Sequence, residues 1–359
     1  MRVLLRAILI ALALSQAVQA GSIETFTGDV FTGKVELDFG GVIFRPERGA
    51  VVKMDFSTLY RVQFDTAPPV EQFVPGIVLR NGVRLAAPWG PFNAAVIKIP
   101  KRNLSLPAEE IAWIVYTPFP AALAASVPGG QTGVLLPKGD FFAGAIRGAD
   151  GDQAKIFNPV FGPRTFSASD IHALILRDAR LPAAQYEVRT VDGSLFAADY
   201  LAPDRPGVTI KHSLYDNLLI SAAEITDIRA GASRCRPVAT LGNLHAEPAD
   251  GLQILEDRGF TLAIKSVASC VVPPGFNEFA AKVAADDSTP KGERLIFSVL
   301  ADGRQVARSP ALAAGDTARE LRFSLPGGVR NLVLRVELVG SVMSLESRGR
   351  WVQAFFLRR

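Results

Sequence analysis

The stretch Leu295-Ile296-Phe297-Ser298-Val299-Leu300-Ala301-Asp302-Gly303-Arg304 decides the fold of the last third of this chain. Phe297 and Val299 lie two apart, and the Asp-Gly dipeptide supplies the positive backbone angles of a tight turn. Val306 then resumes the apolar series, so the stretch reads as a β-hairpin with one face inward. Asn331-Leu332-Val333-Leu334-Arg335-Val336 alternates in the same way at Leu332, Leu334 and Val336. Between the two, Glu320-Leu321-Arg322-Phe323-Ser324-Leu325 runs into the turn formers Pro326-Gly327-Gly328. Upstream, the turn Pro273-Pro274-Gly275 precedes Phe279-Ala280-Ala281-Lys282-Val283-Ala284-Ala285-Asp286-Asp287. The chain closes on Trp351-Val352-Gln353-Ala354-Phe355-Phe356.

These segments, in this order, resemble the NPCBM family of carbohydrate-binding modules. There, an F-x-x-x-V-G-V-D-D strand, an F-x-V-x-x-D-G hairpin, an L-x-L-x-V strand and a closing D-x-x-W-x-x-A follow one another. The resemblance runs over roughly residues 240–357. It implies a jelly-roll β-sandwich of the galactose-binding type and a carbohydrate ligand. Two positions depart from the pattern: Ala284 stands in place of the glycine, and Arg348-Gly349-Arg350 precedes the closing Trp351 where an acid is expected.

The region before this domain repeats itself. Thr27-Gly28-Asp29-Val30-Phe31, Asn81-Gly82-Val83-Arg84-Leu85, Lys138-Gly139-Asp140-Phe141-Phe142 and Asp192-Gly193-Ser194-Leu195-Phe196 each place a turn glycine before apolar residues. Each copy ends on a second signature, at Met54–Leu59, Leu106–Ile111, Phe166–Ile171 and Ile220–Ile225. The Ser, Pro and small residues there suit a short helical turn, with Ser as a capping residue, leading into a last strand. Four or five short strands in each copy are what a small SH3-like or Sm-like barrel needs, and the pattern loosely resembles the Sm-like repeats of some exported bacterial proteins. The expected fold class is therefore all-β, with four barrel-like repeats followed by a jelly-roll. The expected divisions are a leader over 1–20, repeats over 21–66, 70–118, 130–180 and 184–231, and the jelly-roll over 235–359.

The leader reading rests on Arg2 and Arg6, a short apolar run from Ala7 to Leu14, and Val18-Gln19-Ala20 as a small-residue cleavage pattern. That run is too short to span a bilayer, so an exported chain with no membrane span after cleavage is expected. The net charge is only +4, with bases scattered among acids, which argues against a nucleic-acid partner. Cys235 and Cys270 are the only two cysteines. They read either as two buried small residues or as a disulfide, and oxidative folding outside the cytoplasm makes the pair chemically available. A disulfide fastening the first strand of the jelly-roll to its sheet is the expectation, with a stabilisation of roughly 3–4 kcal/mol at most.

Catalysis needs convergent groups, and the sequence presents none. His172, His212 and His245 lie in separate segments without metal-ligand spacing. No G-x-S-x-G, H-E-x-x-H or P-loop pattern occurs. No cofactor is expected beyond a structural calcium at Asp286 and Asp287, which offer two side chains where calcium takes six or more oxygens. For a sugar, an aromatic face and polar side chains are the usual requirement. Trp351, Asp286, Asp287 and the loop residue Trp89 are the candidate ligand contacts, while the periodicity around Trp351 and Trp113 favours packed core positions for both over a sugar platform. The reading is a non-catalytic exported protein whose partner is a glycan. The alternative is a structural envelope protein that acts through protein contacts and binds no sugar.

Overall fold

A fourteen-stranded sheet forms the backbone of the first two thirds of the chain. The computed structural model describes residues 21–66, 72–89, 96–99, 102–180, 183–255, 259–340 and 347–358. The leader and the linker at 67–71 lie outside the described residues. The chain divides into two compact units, one of residues 21–23 and 31–229, the other of residues 24–30 and 230–358.

In the first unit the sheet runs from Phe141–Ala143 at one edge to Val52–Met54 at the other, and four smaller sheets of two or three strands fold beside it. Adjacent residues of a strand point to opposite faces, so Ile114 reaches the main core, with Val62, Leu174, Phe196 and Ile228. Its neighbour Trp113 enters a second cluster on the other face with Phe73, Val115, Phe119 and Ile175. The four turn glycines all have positive φ: +77° at Gly28, +83° at Gly82, +89° at Gly139 and +86° at Gly193. Four closed barrels are not what these strands form. The last strands pair across the stretches, Leu59–Gln63 with Ile225–Ala230 and Ile111–Val115 with Ala173–Ile175, so the sheet stays open and shared.

The second signatures do become short turns, of 3-10 type, at Phe56–Thr58, Ala108–Glu110, Ala168–Asp170 and Ala222–Glu224. The expected serine caps are a correction. Ser167 and Ser221 make no side-chain cap bond, whereas Asp55 accepts from Ser57 N.

The second unit is a sandwich of two antiparallel sheets. One contains Leu252–Ile254, Phe260–Ala263, Arg348–Leu357, Glu278–Ala285 and Arg319–Ser324, with Cys235–Pro237 also paired to Arg348–Leu357. The other contains His245–Glu247, Val267–Val271, Asn331–Leu338, Leu295–Ala301 and Arg304–Arg308. Phe260, Phe279, Trp351 and Phe356 of the first meet Phe297, Leu332, Leu334 and Val336 of the second in one core. The expected hairpin turns at Asp302 (φ +45°) and Gly303 (φ +85°), and Asp302 accepts from Arg330 N and Asn331 N to tie the turn to the neighbouring strand.

Two expectations are corrected here. No disulfide joins Cys235 and Cys270, although both are buried. Cys235 stands opposite Leu357 in one sheet and Cys270 opposite Leu332 in the other, so the two lie on different sheets and are not register neighbours. Residues 24–30, placed by the sequence in the first repeat, belong instead to the second unit. Asp29 pairs with Lys282 at 2.6 Å, Glu24 accepts from Gln353 Nε2 at 2.7 Å, and the Arg234 guanidinium lies 5.2 Å from the Phe26 ring.

Candidate functional site

The loops at one end of the sandwich form a polar rim. Register fixes that end: Ala285 lies opposite Gly349, Ala263 opposite Arg348, and Glu247 opposite Val267. Strand Glu278–Ala285 therefore delivers Asp286 and Asp287 beside Arg348. Asp286 N donates to Arg348 O at 3.0 Å, and its Oδ1 accepts from Ser288 N at 3.1 Å and Ser288 Oγ at 2.6 Å. Thr289 Oγ1 donates to Arg348 O at 3.3 Å, and Ser347 donates to Glu293. The Arg348 guanidinium turns along the rim, Nη2 to Gly251 O at 2.8 Å and Nε to Thr261 Oγ1 at 3.1 Å. Gly349 is required by close packing, since a Cβ there would come within 2.5 Å of the Phe297 ring.

Of the candidate residues, the structure brings Asp286 and Asp287 together on this rim, with Asp287 exposed. Trp351 is three residues beyond Arg348 but points into the core. It is 0% exposed, stacks on Phe260 at 6.1 Å and meets Phe297 edge-on at 5.5 Å. Its reading as a ligand contact is corrected, because no face of the indole is open to a sugar. Trp89 belongs to the first unit, half-buried edge-on to Tyr116 at 5.4 Å. Trp113 is buried and donates from Nε1 to Arg177 O at 3.1 Å. As for calcium, no group of three His, Cys, Asp or Glu able to hold a metal exists among the described residues, and one oxygen of Asp286 already serves Ser288.

The histidines do not converge. His172 contacts Thr117 Oγ1 at 2.8 Å and its pKa is lowered by burial; His212 is lowered for the same cause, opposed by the charge of Asp199. His245 lies on an edge strand of the sandwich, Nδ1 3.0 Å from Asn243 O and Nε2 2.9 Å from Ser269 Oγ. With Nδ1–H donating to the carbonyl, Nε2 accepts from the serine, and the group is a saturated surface pair.

Sequence reasoning missed an ionic cluster in the first unit. Asp227, wholly buried, takes hydrogen bonds from Arg61 and Arg229, with Glu187 and Arg189 in the same electrostatic neighbourhood. An open groove of about 620 Å³ beside Phe73, Trp113 and Arg84 was also not foreseen. Both faces of its Phe73 are used, one stacked on Phe119 at 4.8 Å and the other under the Arg84 guanidinium at 3.9 Å.

The sandwich and its rim define the second unit as a two-sheet β-module, and comparison places the sequence of that module. Residues 257–357 match the family model described as NPCBM/NEW2 domain. Among curated proteins, none matches this chain. Among solved structures, the chain is similar to the CBM51 module of Clostridium perfringens GH95 in complex with methyl-galactose. The identity is 18% over 32% of this chain and 78% of that chain, with a TM-score of 0.26. It is similar to the tandem CBM51 modules of Sp3GH98, the family 98 glycoside hydrolase from Streptococcus pneumoniae, at 11% identity over 94% of this chain and 88% of that chain, TM-score 0.29. It is also similar to the CBM51-2 and INT domains of Clostridium perfringens ZmpB, at 12% identity over 57% of this chain and 43% of that chain, TM-score 0.29.

Proposed function

We propose that the last third of this chain is a non-catalytic glycan-binding module, and that the preceding β units, four in number by their turn and closing signatures, display it outside the cytoplasm. The match of residues 257–357 to the NPCBM/NEW2 family carries this reading. The rim at Asp286, Asp287, Ser288 and Arg348 supports it, since carboxylate, hydroxyl and guanidinium groups recognise sugar hydroxyls by directed hydrogen bonds. Arg348 is held by the protein; Asp287 is exposed and is the carboxylate offered outward.

One observation favours the second reading, a structural envelope protein that binds no sugar. The rim segments 286–294 and 309–318 contain no aromatic residue, so they offer a sugar no stacking platform. A glycan-array screen of the full chain separates the two. The full chain is required because residues 24–30 belong to the second unit. Binding to a defined set of glycans, weakened by Asp287→Ala, is the expected result. A folded chain that binds none of them would transfer the assignment to the structural reading.

A further inference from the structure

The three-stranded sheet of Ala145–Ala149, Gln153–Asn158 and Gly162–Ser167 ends in a tip that the glycan reading does not use. Asn158 and Gly162 are register partners, so Pro159-Val160-Phe161 is a three-residue hairpin connection, closed by Gly162 at φ +72°. The tip is firmly held. Asn158 Oδ1 accepts from Val160 N at 2.8 Å and Phe161 N at 3.1 Å, while its Nδ2 donates to Ala143 O at 2.7 Å. Yet the side chains it presents are apolar and open, Val160 at 81% and Phe161 at 58% exposure.

Isolated exposed apolar residues are common and need no explanation. The charge around this pair is what singles it out. Along these strands the charged residues are Arg147, Lys155 and Arg164, while the sheet's acids, Asp150 and Asp152, sit in the turn at its other end, where the charge of Asp150 reaches Lys155. The Arg147 guanidinium lies 5.4 Å from the ring of Phe157, Lys155 is across from Thr165, and Arg164 is across from Ile156. A second exposed tip shows the contrast. Phe39 is 78% exposed, but an acid stands beside it, Asp38, paired with Lys53 at 3.0 Å and Arg205 at 3.5 Å.

We propose that the 159–162 tip docks on an anionic lipid bilayer, with Val160 and Phe161 entering the boundary between headgroups and acyl chains while Arg147, Lys155 and Arg164 face lipid phosphates. A rigid apolar tip above a cationic collar matches the two-part interaction by which peripheral proteins hold to such surfaces. Each base near the surface contributes roughly a fivefold gain in partitioning, so three contribute on the order of a hundredfold.

Co-sedimentation of the full chain with vesicles tests this, using phosphatidylcholine alone and an equal mixture of phosphatidylcholine and phosphatidylglycerol. The chain should sediment with the anionic vesicles only, and added salt should release it. Val160→Ser with Phe161→Ser should weaken binding at least about tenfold. Arg147→Gln with Lys155→Gln and Arg164→Gln should weaken it on the order of a hundredfold. Because the tip side chains are exposed, thermal unfolding of the tip variant should match the parent, which separates lost docking from lost folding. Absence of binding to anionic vesicles, or equal binding by the tip variant, overturns the proposal. A chain that ignores vesicles and instead self-associates, in a manner abolished by the tip variant, would assign the tip to a second copy and also overturn it. The outcome is independent of the glycan array, because the proposed sugar site lies in the other unit.

Discussion

Asp227→Asn should destabilise the first unit by about 3 kcal/mol at neutral pH, and by progressively less as the solution is acidified. Asp227 Oδ2 accepts from Arg61 Nη2 at 2.6 Å, Arg61 Nε at 2.9 Å and Arg229 Nη2 at 2.8 Å. Arg61 and Arg229 are direct partners across their two strands, an arrangement that like charges disfavour unless an anion joins them. Removing one member of a buried charged set costs about 3–5 kcal/mol. The two arginine side chains keep 23% and 16% exposure, so water recovers part of the loss and the lower end applies. Burial alone would raise the Asp227 carboxyl, but the charge and hydrogen bonds of Arg229, with Arg61 and Arg189, outweigh it and hold the pKa below its ordinary value. A carboxyl depressed below its unfolded value of about 3.9 stabilises fully above about pH 5, and loses that contribution as pH falls through the folded value. Glu187 acts with the opposite sign: burial raises its pKa, so its charge costs stability above its unfolded value and the cost fades in acid. The parent-minus-variant difference, rather than the parent's own curve, therefore isolates Asp227. Urea unfolding of the full chain from pH 7 down to about pH 3 measures it, with a shift in Tm of roughly 6–12 °C at neutral pH as the companion reading. A variant within about 0.5 kcal/mol of the parent at pH 7, or a gap that fails to narrow in acid, would refute the reasoning.

Trp351→Ala should cost the second unit about 3–5 kcal/mol, read as a lower denaturant midpoint, because the indole is fully enclosed between Phe260 and Phe297. A loss below about 1 kcal/mol would place Trp351 outside the core. Gly193→Ala should cost about 1–3 kcal/mol, since φ is +86° and the new Cβ would stand 2.9 Å from Val74; an unchanged melting profile would contradict it. Burial pushes the Cys270 thiol up to about 12, so it should resist thiol reagents at mild alkaline pH. Two thiols should titrate once the chain is unfolded without reductant, and none appearing would restore the disulfide.

Local grammar made the hairpin at Asp302-Gly303 legible, because a two-residue turn and the alternation of Phe297 and Val299 are near-neighbour properties. The four turn glycines were legible for the same reason. What escaped was non-local. Asp227 finds Arg61 across 166 positions of sequence, and although Arg229 lies two residues on along the same strand, nothing local points to the second arginine. Residues 24–30 look like the opening of a repeat, yet their contacts are with Lys282, Gln353 and Arg234. The closing strand departs from simple alternation at one residue: Gln353 adopts φ +49°, and the register against Glu278–Ala285 shifts there. The simple alternation then no longer holds, and Trp351, Ala354 and Phe356 all reach the core. A positive φ at a non-glycine residue leaves no mark in composition. The candidate site was legible only as far as Asp286 and Asp287, whose neighbour Arg348 arrives from a strand more than sixty residues on.

The first unit uses one backbone arrangement twice with opposite chemistry. Ile111–Val115 pairs with Ala173–Ile175, and Leu59–Gln63 with Ile225–Ala230. In both, one face meets the main core, through Ile114 and Leu174 or through Val62 and Ile228. On the other face of the first pair Trp113 stands opposite Ile175 and packs on Phe73 at 5.4 Å. On the other face of the second, Arg61 stands opposite Arg229 and both share Asp227. Apolar contact is non-directional, so the first pairing is held by area and would accept any well-shaped apolar partner. The second has one satisfactory alignment. A slip of one residue would turn Arg61 toward the core face and leave Asp227 with half its donors, which the cost of an unpaired buried charge forbids. Register at that junction is therefore set by charge rather than by the apolar alternation. Hydrophobic periodicity alone locates these strands but cannot say which of the four closing strands belongs beside which.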